Sequence, residues 1–398
     1  MTLENVSSPT KPNDGISHIV LMLYLLPLFF LNGPIGTVAA ILAFATSWVA
    51  ITRDSHIKIP SVGVVALIFV GAISLRMLLP PYGTDRMAPD VTRTLLIVGV
   101  FGLVFFVYER MDFQRSLLVI VAMGLACAFI SMLVYFAQQN FGDARLAFFG
   151  RSSHPIMGAG AIALATLAAL SVASYPTGAS RSHVVTAGLG VAIVVFVASL
   201  VLTGSRGPAI ALVFAIATTP IVMVSRSPLM PVIFGFGAWA VVTSSVLLEP
   251  YIHGAVCQTI PSACRESARQ EIWHLAGQMV AQNPMWGSGY AFRFPVWPHH
   301  AHNAYFGMAL NYGVPLVLLF IGLMATALWR TAQMKHSAQR FFVVSSLIFA
   351  NGFMGSDLND PMRFLGTHHL FLWFPLCLAL VSEKGASDGR TFQPVAAT

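Results

Sequence analysis

The chain has 398 residues, of which 56% are hydrophobic and only 9% are charged, and its formal net charge is +7. Soluble domains contain about 25% charged residues. This composition therefore excludes a soluble protein, because such a chain would expose large apolar patches and aggregate. Uncharged runs that reach the roughly 20 residues needed to cross a bilayer occur along the whole sequence. We predict one polytopic, all-α integral membrane domain.

Twelve apolar segments are predicted to span the membrane. No small-x-small cleavage site follows the first of them, so we expect residues 1–17 to form a cytoplasmic tail, and residues 383–398 to form a second one. The polytopic domain would cover residues 18–382, with a large loop at 249–301 between spans nine and ten. The predicted spans lie at about 18–32, 33–52, 59–79, 94–109, 116–137, 154–175, 184–203, 207–224, 229–248, 302–328, 341–355 and 368–382.

The positive charges set the predicted orientation of these spans. An even number of spans places both termini on one side, which holds all four lysines and eight arginines, whereas the other side holds ten arginines and no lysine. We therefore place the termini in the cytoplasm and loop 249–301 in the periplasm. The planar fork of arginine grips phosphate in a bidentate manner, so the arginine-only face predicts an outer site for a phosphate-bearing lipid. Contact with lipid headgroups and local acids is the alternative.

A possible anion site precedes span eight, where Thr203–Pro208 reads T-G-S-R-G-P. Proline favours the first turn of a helix, and serine or glycine favours the position before it, so a helix is predicted to begin here. The N–H groups and the dipole at such an N-terminus attract anions, and Arg206 adds a full charge. The alternative is a tight outer turn with one interfacial arginine.

The long loop concentrates arginine, histidine and tryptophan. Arg265, Arg269 and Trp273 recur every four residues, and Ser262 is a possible cap, so they are predicted to share one helix face. Two arginines at this spacing repel by about 0.2–0.5 kcal/mol, and an anionic ligand between them would remove that cost. Pairing with neighbouring glutamates is the alternative.

His302 and Asn303 come directly before span ten. The positive end of a helix dipole disfavours the imidazolium form, and a neutral, outward-facing imidazole suits a general base. Capping and metal binding are the alternatives. Three histidines do cluster at residues 299–302, but they crowd a proline-rich turn without an acid to complete a ligand set.

Two further groups of residues receive structural interpretations. Asp357 and Asp360, in the sequence D-L-N-D-P, are interpreted as a solvated outer loop. Cys127 and Cys377 lie in apolar segments and are expected to be small core residues. The two loop cysteines, at positions 257 and 264, would be able to form a disulfide in an oxidising compartment.

The order of several weak motifs, within the twelve-span pattern, resembles the O-antigen ligase family, which shares a domain with O-antigen polymerases and bacterial O-oligosaccharyltransferases. These motifs are G-x-x-x-H-P at Gly150–Pro155, S-R-G at Ser205–Gly207, R-x-x-x-W at Arg269–Trp273, N-P-x-x-G-x-G at Asn283–Gly289, and H-N at His302–Asn303 followed by Gly313.

The resemblance implies a GT-C-like glycosyltransferase in the bacterial inner membrane, with no cofactor and no metal requirement. Members that this chain resembles transfer a glycan from undecaprenyl diphosphate to an acceptor on the periplasmic side, and in ligases the acceptor is lipid A–core. Family roles carry over to Arg206, Arg269 and His302 as catalytic residues. The expected substrate-binding residues are Arg265, Trp273, Tyr290, Arg293, Asn303 and His300.

Several alternatives to the ligase reaction remain at the level of the sequence. An O-antigen polymerase or an O-oligosaccharyltransferase would use the same donor with a different acceptor. A polyisoprenoid or polysaccharide transporter would favour charges at the membrane midplane and broken helices. The expected partners are the lipid-linked donor, the acceptor and membrane lipids, and no nucleic acid.

Overall fold

The computed structural model describes residues 15–53, 68–72, 75–76, 87–138, 145–177, 182–249, 251, 268–289, 300–358, 360–362 and 366–382. All regular elements in these ranges are helical, as predicted. The helices are α1 (Gly15–Phe29), α2 (Gly33–Arg53), α3 (Met87–Arg110), α4 (Phe113–Ala137), α5 (Pro155–Ser174), α6 (His183–Thr203), α7 (Arg206–Val224), α8 (Leu229–Leu247), α9 (Arg269–Gln282), α10 (Ala304–Tyr312), α11 (Val314–Thr331), α12 (Ala338–Met354) and α13 (Phe374–Val381).

Seven helices within the described ranges are long and apolar enough to cross a membrane, namely α2, α4, α5, α6, α7, α8 and α11. Two shorter apolar helical segments accompany them, namely α1 and His369–Val381, which consists of one helical turn followed by α13. The chain is therefore a helical, multi-pass membrane protein. Each predicted span overlaps helical structure where the structure describes it, although α3 begins seven residues before the predicted start of its span at 94. The segment at 59–79 lies largely outside the described residues. The count of twelve crossings stays a prediction.

Helix α12 forms the centre of the bundle. Every residue of α12 except Gln339 is buried, and the helix packs against α5, α7 and α8. By contrast, α6 leaves apolar side chains such as Val184, Val194 and Val201 exposed. Burial on all sides places α12 inside the bundle, whereas a helix of a membrane protein that leaves an apolar face exposed meets lipid. The bundle is therefore built around α12, with α6 near its periphery.

The predicted span at 302–328 is wrong in one respect, because the structure breaks it at Gly313 into α10 and α11. Gly313 has φ +90°, and a Cβ there would lie 2.2 Å from the Met285 carbonyl oxygen. The segment 283–289 supplies the hydrogen bonds that a helix break needs. The Ser288 N–H donates to the Leu310 carbonyl at 2.6 Å, and the N–H of residue 314 donates to the carbonyl of residue 284 at 2.7 Å.

The two ends of the bundle have different polar contacts. At one end, which we call the site end, Arg206 at the start of α7 pairs with Glu249, just after α8, at 2.8 Å. At the opposite end, Arg330 near the end of α11 donates to the Ser382 carbonyl at 2.7 Å. The charge pattern predicted that these two arginines lie on opposite sides of the membrane, and the structure places them at opposite ends. That the site end faces the periplasm stays a prediction.

Replacing Gly313 by alanine should destabilise the fold. The new Cβ would clash with the 285 carbonyl, and the left-handed backbone disfavours an L side chain, so we expect a loss of roughly 1–3 kcal/mol. Gly322→Ala in α11 is the matched control, because a Cβ there has no neighbour within 4 Å. Thermal unfolding in detergent measures both variants. Equal midpoints for the two would show that segment 283–289 does not depend on the glycine.

The predicted orientation can be tested with an impermeant thiol reagent on spheroplasts. Ala281→Cys, at an exposed position on α9, should react without lysis, whereas Lys335→Cys, exposed at the opposite end, should react only after lysis. Both variants are made in a Cys257→Ser/Cys264→Ser background to remove the loop thiols. The reverse labelling pattern would contradict the orientation.

Candidate active site

A buried carboxylate lies just beyond the end of α12. The Asp357 side chain is 2% exposed and forms an ion pair with the guanidinium of Arg269. The Ser356 hydroxyl donates to Asp357 Oδ2 at 2.7 Å. The prediction that Asp357 and Asp360 form a solvated loop is therefore wrong, since both are buried. Each carboxylate is stable there because the fold surrounds it with hydrogen-bond donors.

The Asp360 carboxylate ties the helix break to the same region. It accepts hydrogen bonds from Asn311 Nδ2 at 2.8 Å and from the Tyr312 hydroxyl at 3.0 Å, both at the end of α10. The backbone N–H of Met362 donates to its other oxygen at 2.8 Å. The segment after α12 therefore holds the end of α10 through Asp360 and contacts Arg269 through Asp357.

The first turn of α7 lies directly against Asp357. A Cβ added at Gly207 would come within 1.9 Å of Asp357 Oδ2 and 2.3 Å of the Ser356 hydroxyl. Ser205 precedes the helix as its N-cap residue, so the predicted helix start is confirmed. The anion site expected at this N-terminus from the sequence stays a prediction, and the carboxylate of Asp357 lies beside its first turn. Glycine is needed at position 207 because only a residue without a Cβ admits that approach.

Arg206 is the more accessible of the two candidate arginines. Its side chain is 43% exposed, and its partner Glu249 is 13% exposed. Ion pairs at the surface contribute about 0–1 kcal/mol. A ligand phosphate would therefore compete with this carboxylate at little cost.

Two residues near the S-R-G turn received no specific role from the sequence. Arg145 donates from Nε to the Thr203 carbonyl and from a terminal nitrogen to the Ser205 hydroxyl, each at 2.6 Å. It therefore holds the end of α6 against the start of α7. His154, the N-cap residue of α5, lies within electrostatic range of Asp357. Partial burial lowers the pKa of His154, the charge of Arg145 lowers it further, and Asp357 raises it. The G-x-x-x-H-P motif was the available signal for His154.

His302 lies half-buried in a strained turn before α10. Its φ is +49°, and it is the one non-glycine residue with positive φ in the described ranges. Nε1 of Trp273 donates to the Ala301 carbonyl at 2.9 Å. The rings of His300 and His302 have their centroids 3.9 Å apart. Trp273 is itself only 6% exposed, so the geometry gives it a supporting role beneath the turn, and sugar stacking by its ring stays a prediction.

Asn303 caps α10 and links it to α12. Its Oδ1 accepts from the N–H groups of Tyr305 and Phe306, at 3.0 and 3.3 Å, and its Nδ2 donates to the Gly355 carbonyl at 2.9 Å. The amide is thus engaged with the backbone through both its oxygen and its nitrogen. Direct contact between Asn303 and a substrate stays a prediction.

Of the three predicted catalytic residues, Arg269 contacts the turn at 355–357 itself, and the other two are sequence neighbours of residues that contact it. Arg269 binds Asp357 directly, Arg206 precedes the glycine that contacts it, and His302 precedes the asparagine that binds the 355 carbonyl. Arg265, Tyr290 and Arg293 lie outside the described residues, as do His299 and the two loop cysteines. Cys127 and Cys377 are buried thiols, as expected.

Residues 191–321 match the family model described as O-antigen ligase. The match confirms the family resemblance. It covers about a third of the chain, runs from α6 into α11, and contains Arg206, Arg269 and His302. Asp357 and His154 lie outside the segment that matches the O-antigen ligase model. No curated protein matches the chain.

Replacing Gly207 by alanine should disturb the Asp357 contact. The added methyl group cannot fit between α7 and the carboxylate, and overpacking of this kind costs roughly 1–3 kcal/mol. Gly188→Ala in α6, where a Cβ meets nothing within 4 Å, serves as the control and should be close to neutral. The midpoint of thermal unfolding in detergent is the measurement. A Gly207→Ala protein as stable as the control would contradict the tight approach of Asp357.

Proposed function

We propose that this protein is an O-antigen ligase that transfers an O-antigen glycan from undecaprenyl diphosphate to lipid A–core. One observation supports the proposal: the arginines and the histidine expected to be catalytic lie inside the matched segment. Arg269 contacts Asp357 at one end of the bundle, and the chain neighbours of the other two, Gly207 and Asn303, contact residues 355–357 there as well. A lipid-anchored donor and a lipid-anchored acceptor can meet at such an end without leaving the bilayer. We further propose an inner-membrane location, a GT-C-like fold and a site end that faces the periplasm.

In this proposal the arginines bind the diphosphate of the donor. A guanidinium binds phosphate in a bidentate manner and stabilises the negative charge that grows on the leaving group. The side chain of Arg206 is exposed, so a phosphate group can reach its guanidinium. Arg269 contacts Asp357 through one terminal nitrogen, whereas a guanidinium has five N–H donors. The carboxylate therefore fixes the orientation of the Arg269 fork while phosphate binding uses its remaining donors.

His302 acts as the general base. It removes the proton from a sugar hydroxyl of lipid A–core while that oxygen attacks the anomeric carbon of the donor. The bond from the anomeric carbon to the phosphate oxygen breaks, and undecaprenyl diphosphate leaves with the bonding electrons. A single displacement inverts the anomeric centre. The departing charge is neutralised by arginine, so the proposed reaction needs no metal.

A direct test combines the purified protein in detergent with a lipid-linked O-antigen donor, lipid A–core and EDTA. We expect undecaprenyl diphosphate to accumulate and the glycan to appear on lipid A–core. Glycan appearing on a second donor molecule would indicate a polymerase, and glycan on a protein hydroxyl would indicate an oligosaccharyltransferase. No release of undecaprenyl diphosphate would contradict an enzyme. Turnover that depends on added Zn²⁺ or Mg²⁺ would contradict the metal-independent reaction.

Arg206→Lys and Arg269→Lys should both fail to restore turnover, because a point charge cannot replace a bidentate fork. Losing such a contact in the transition state costs about 2–4 kcal/mol. Arg115→Lys, at an exposed arginine of the opposite end, is the control and should behave like wild type. Wild-type turnover in either site variant would remove that arginine from the proposed diphosphate site.

His302→Ala should lower turnover by roughly 10²–10⁴-fold while the protein still folds and binds donor. Turnover of the wild type should fall as the pH decreases, because a protonated imidazole cannot accept the hydroxyl proton. His274→Ala changes an exposed histidine on α9 and is the control. Turnover against pH and donor binding are measured for all three proteins. If donor binding disappears together with turnover, His302 is a binding residue and the general-base role is wrong.

A further inference from the structure

Side chains hold the peptide group between Ala301 and His302 on both of its edges. Nε1 of Trp273 donates a hydrogen bond to the Ala301 carbonyl oxygen at 2.9 Å. The N–H of His302, on the other edge of the same peptide plane, donates to Nδ1 of His300 at 3.3 Å. Because a peptide group is planar, these two contacts fix its orientation. They thereby help to set the orientation of the Cα–Cβ bond of His302.

His302 needs this support because its backbone is left-handed, with φ +49°. L-residues adopt this region in only a few per cent of cases. Such conformations persist where the surroundings over-determine them, and they concentrate at functional sites. Asn303 fixes the chain on the other side of His302 through its cap of α10 and its bond to the 355 carbonyl. The residue proposed as the base is therefore constrained both before and after its own Cα.

We propose that His300 is a positioning residue for His302 and acts through the backbone rather than on a substrate. Its Nδ1 accepts from an N–H and must carry a lone pair, so the ring proton resides on Nε2. This role rests on the proposed function and differs from the substrate-binding role expected of His300 from the sequence.

The geometry of this contact defines a matched set of variants. A side-chain acceptor that bonds the N–H two residues later is the arrangement of an Asx turn, which asparagine forms readily. His300→Asn therefore keeps an acceptor near the position of Nδ1, whereas His300→Gln moves it one methylene farther and His300→Ala removes it. Trp273→Phe removes the donor on the other edge of the peptide group and keeps a ring in the core.

The test measures two quantities on each of the four variants in full-length, detergent-purified protein whose folding is checked by thermal unfolding. The first is kcat, with KM for the donor and for lipid A–core. The second is the rate at which diethyl pyrocarbonate modifies His302, followed by mass spectrometry. We expect His300→Ala, His300→Gln and Trp273→Phe to lower kcat by roughly 10–10²-fold, the loss that follows a small misplacement of a catalytic group. Both KM values should stay near wild type, and the modification rate of His302 should change.

His300→Asn should restore both kcat and the modification rate of His302. Equal losses in all three His300 variants would overturn the proposal, because the imidazole would then act directly on a substrate. Wild-type kcat in His300→Ala would overturn it as well. A wild-type protein without transferase activity would instead contradict the proposed function. In that case the modification rates of His302 alone would test the positioning role of His300. An unchanged rate in His300→Ala would overturn this role, and a changed rate that His300→Asn restores would support it.

Discussion

The ion pair between the buried carboxylate of Asp357 and Arg269 is the interaction on which the site end depends. A charge in a protein interior is stable only when it is paired and hydrogen-bonded, and Asp357 has Arg269 and the Ser356 hydroxyl as partners. The carboxylate also lies against the first turn of α7 at Gly207. One side chain thus joins α7, α9 and the end of α12. Buried ion pairs add little net stability but can select a single arrangement, and in the arrangement here Arg206 and Arg269 lie at the same end of the bundle.

The remaining parts of the site are attached to the same support through the backbone. Helix α12 is buried along its length and therefore presents its last turn at a fixed place. The Gly355 carbonyl at that turn accepts from Asn303, and Asn303 begins α10 directly after His302. The other end of α10 is held by Asp360 and by segment 283–289. In the proposed reaction, His302 and Arg269 held in this way would be oriented before substrates arrive, which is the condition for electrostatic catalysis.

Much of this fold follows from local sequence, because run length and hydrophobicity decide which segments become membrane helices. The start of α7 was also predictable, since proline and serine have positional preferences at a helix N-terminus. The break at Gly313 was not, because glycine is common inside transmembrane helices and the segment that stabilises the break comes some 25 residues earlier in the chain. The N-P-x-x-G-x-G motif was visible in the sequence, but its task of supporting that break depends on tertiary contacts.

The candidate site shows the same limit more sharply. Arginine and histidine are residue types suited to phosphate binding and proton transfer, so the sequence alone indicates Arg206, Arg269 and His302. The structure places all three at the site end of the bundle. The sequence wrongly predicts a solvated position for Asp357, because a short polar stretch after an apolar run has the composition of a solvated loop. Its burial is decided by Arg269, which lies 88 residues away in the sequence. An acidic pair at the end of a membrane segment, in a chain so poor in charge, was the available signal.

We propose that Asp357 orients Arg269 for donor binding, and a double-mutant cycle tests this coupling. Turnover and donor binding would be compared for Asp357→Asn, Arg269→Lys and the double variant, and the same cycle would be run with Asp360→Asn as the matched acid. We expect strong non-additivity, with a coupling energy in the range of about 0.5–3 kcal/mol found for residues in contact. Arg269→Lys should therefore cost little once Asp357 has lost its charge. Losses that simply multiply, or equal coupling of Arg269 to Asp360, would contradict it.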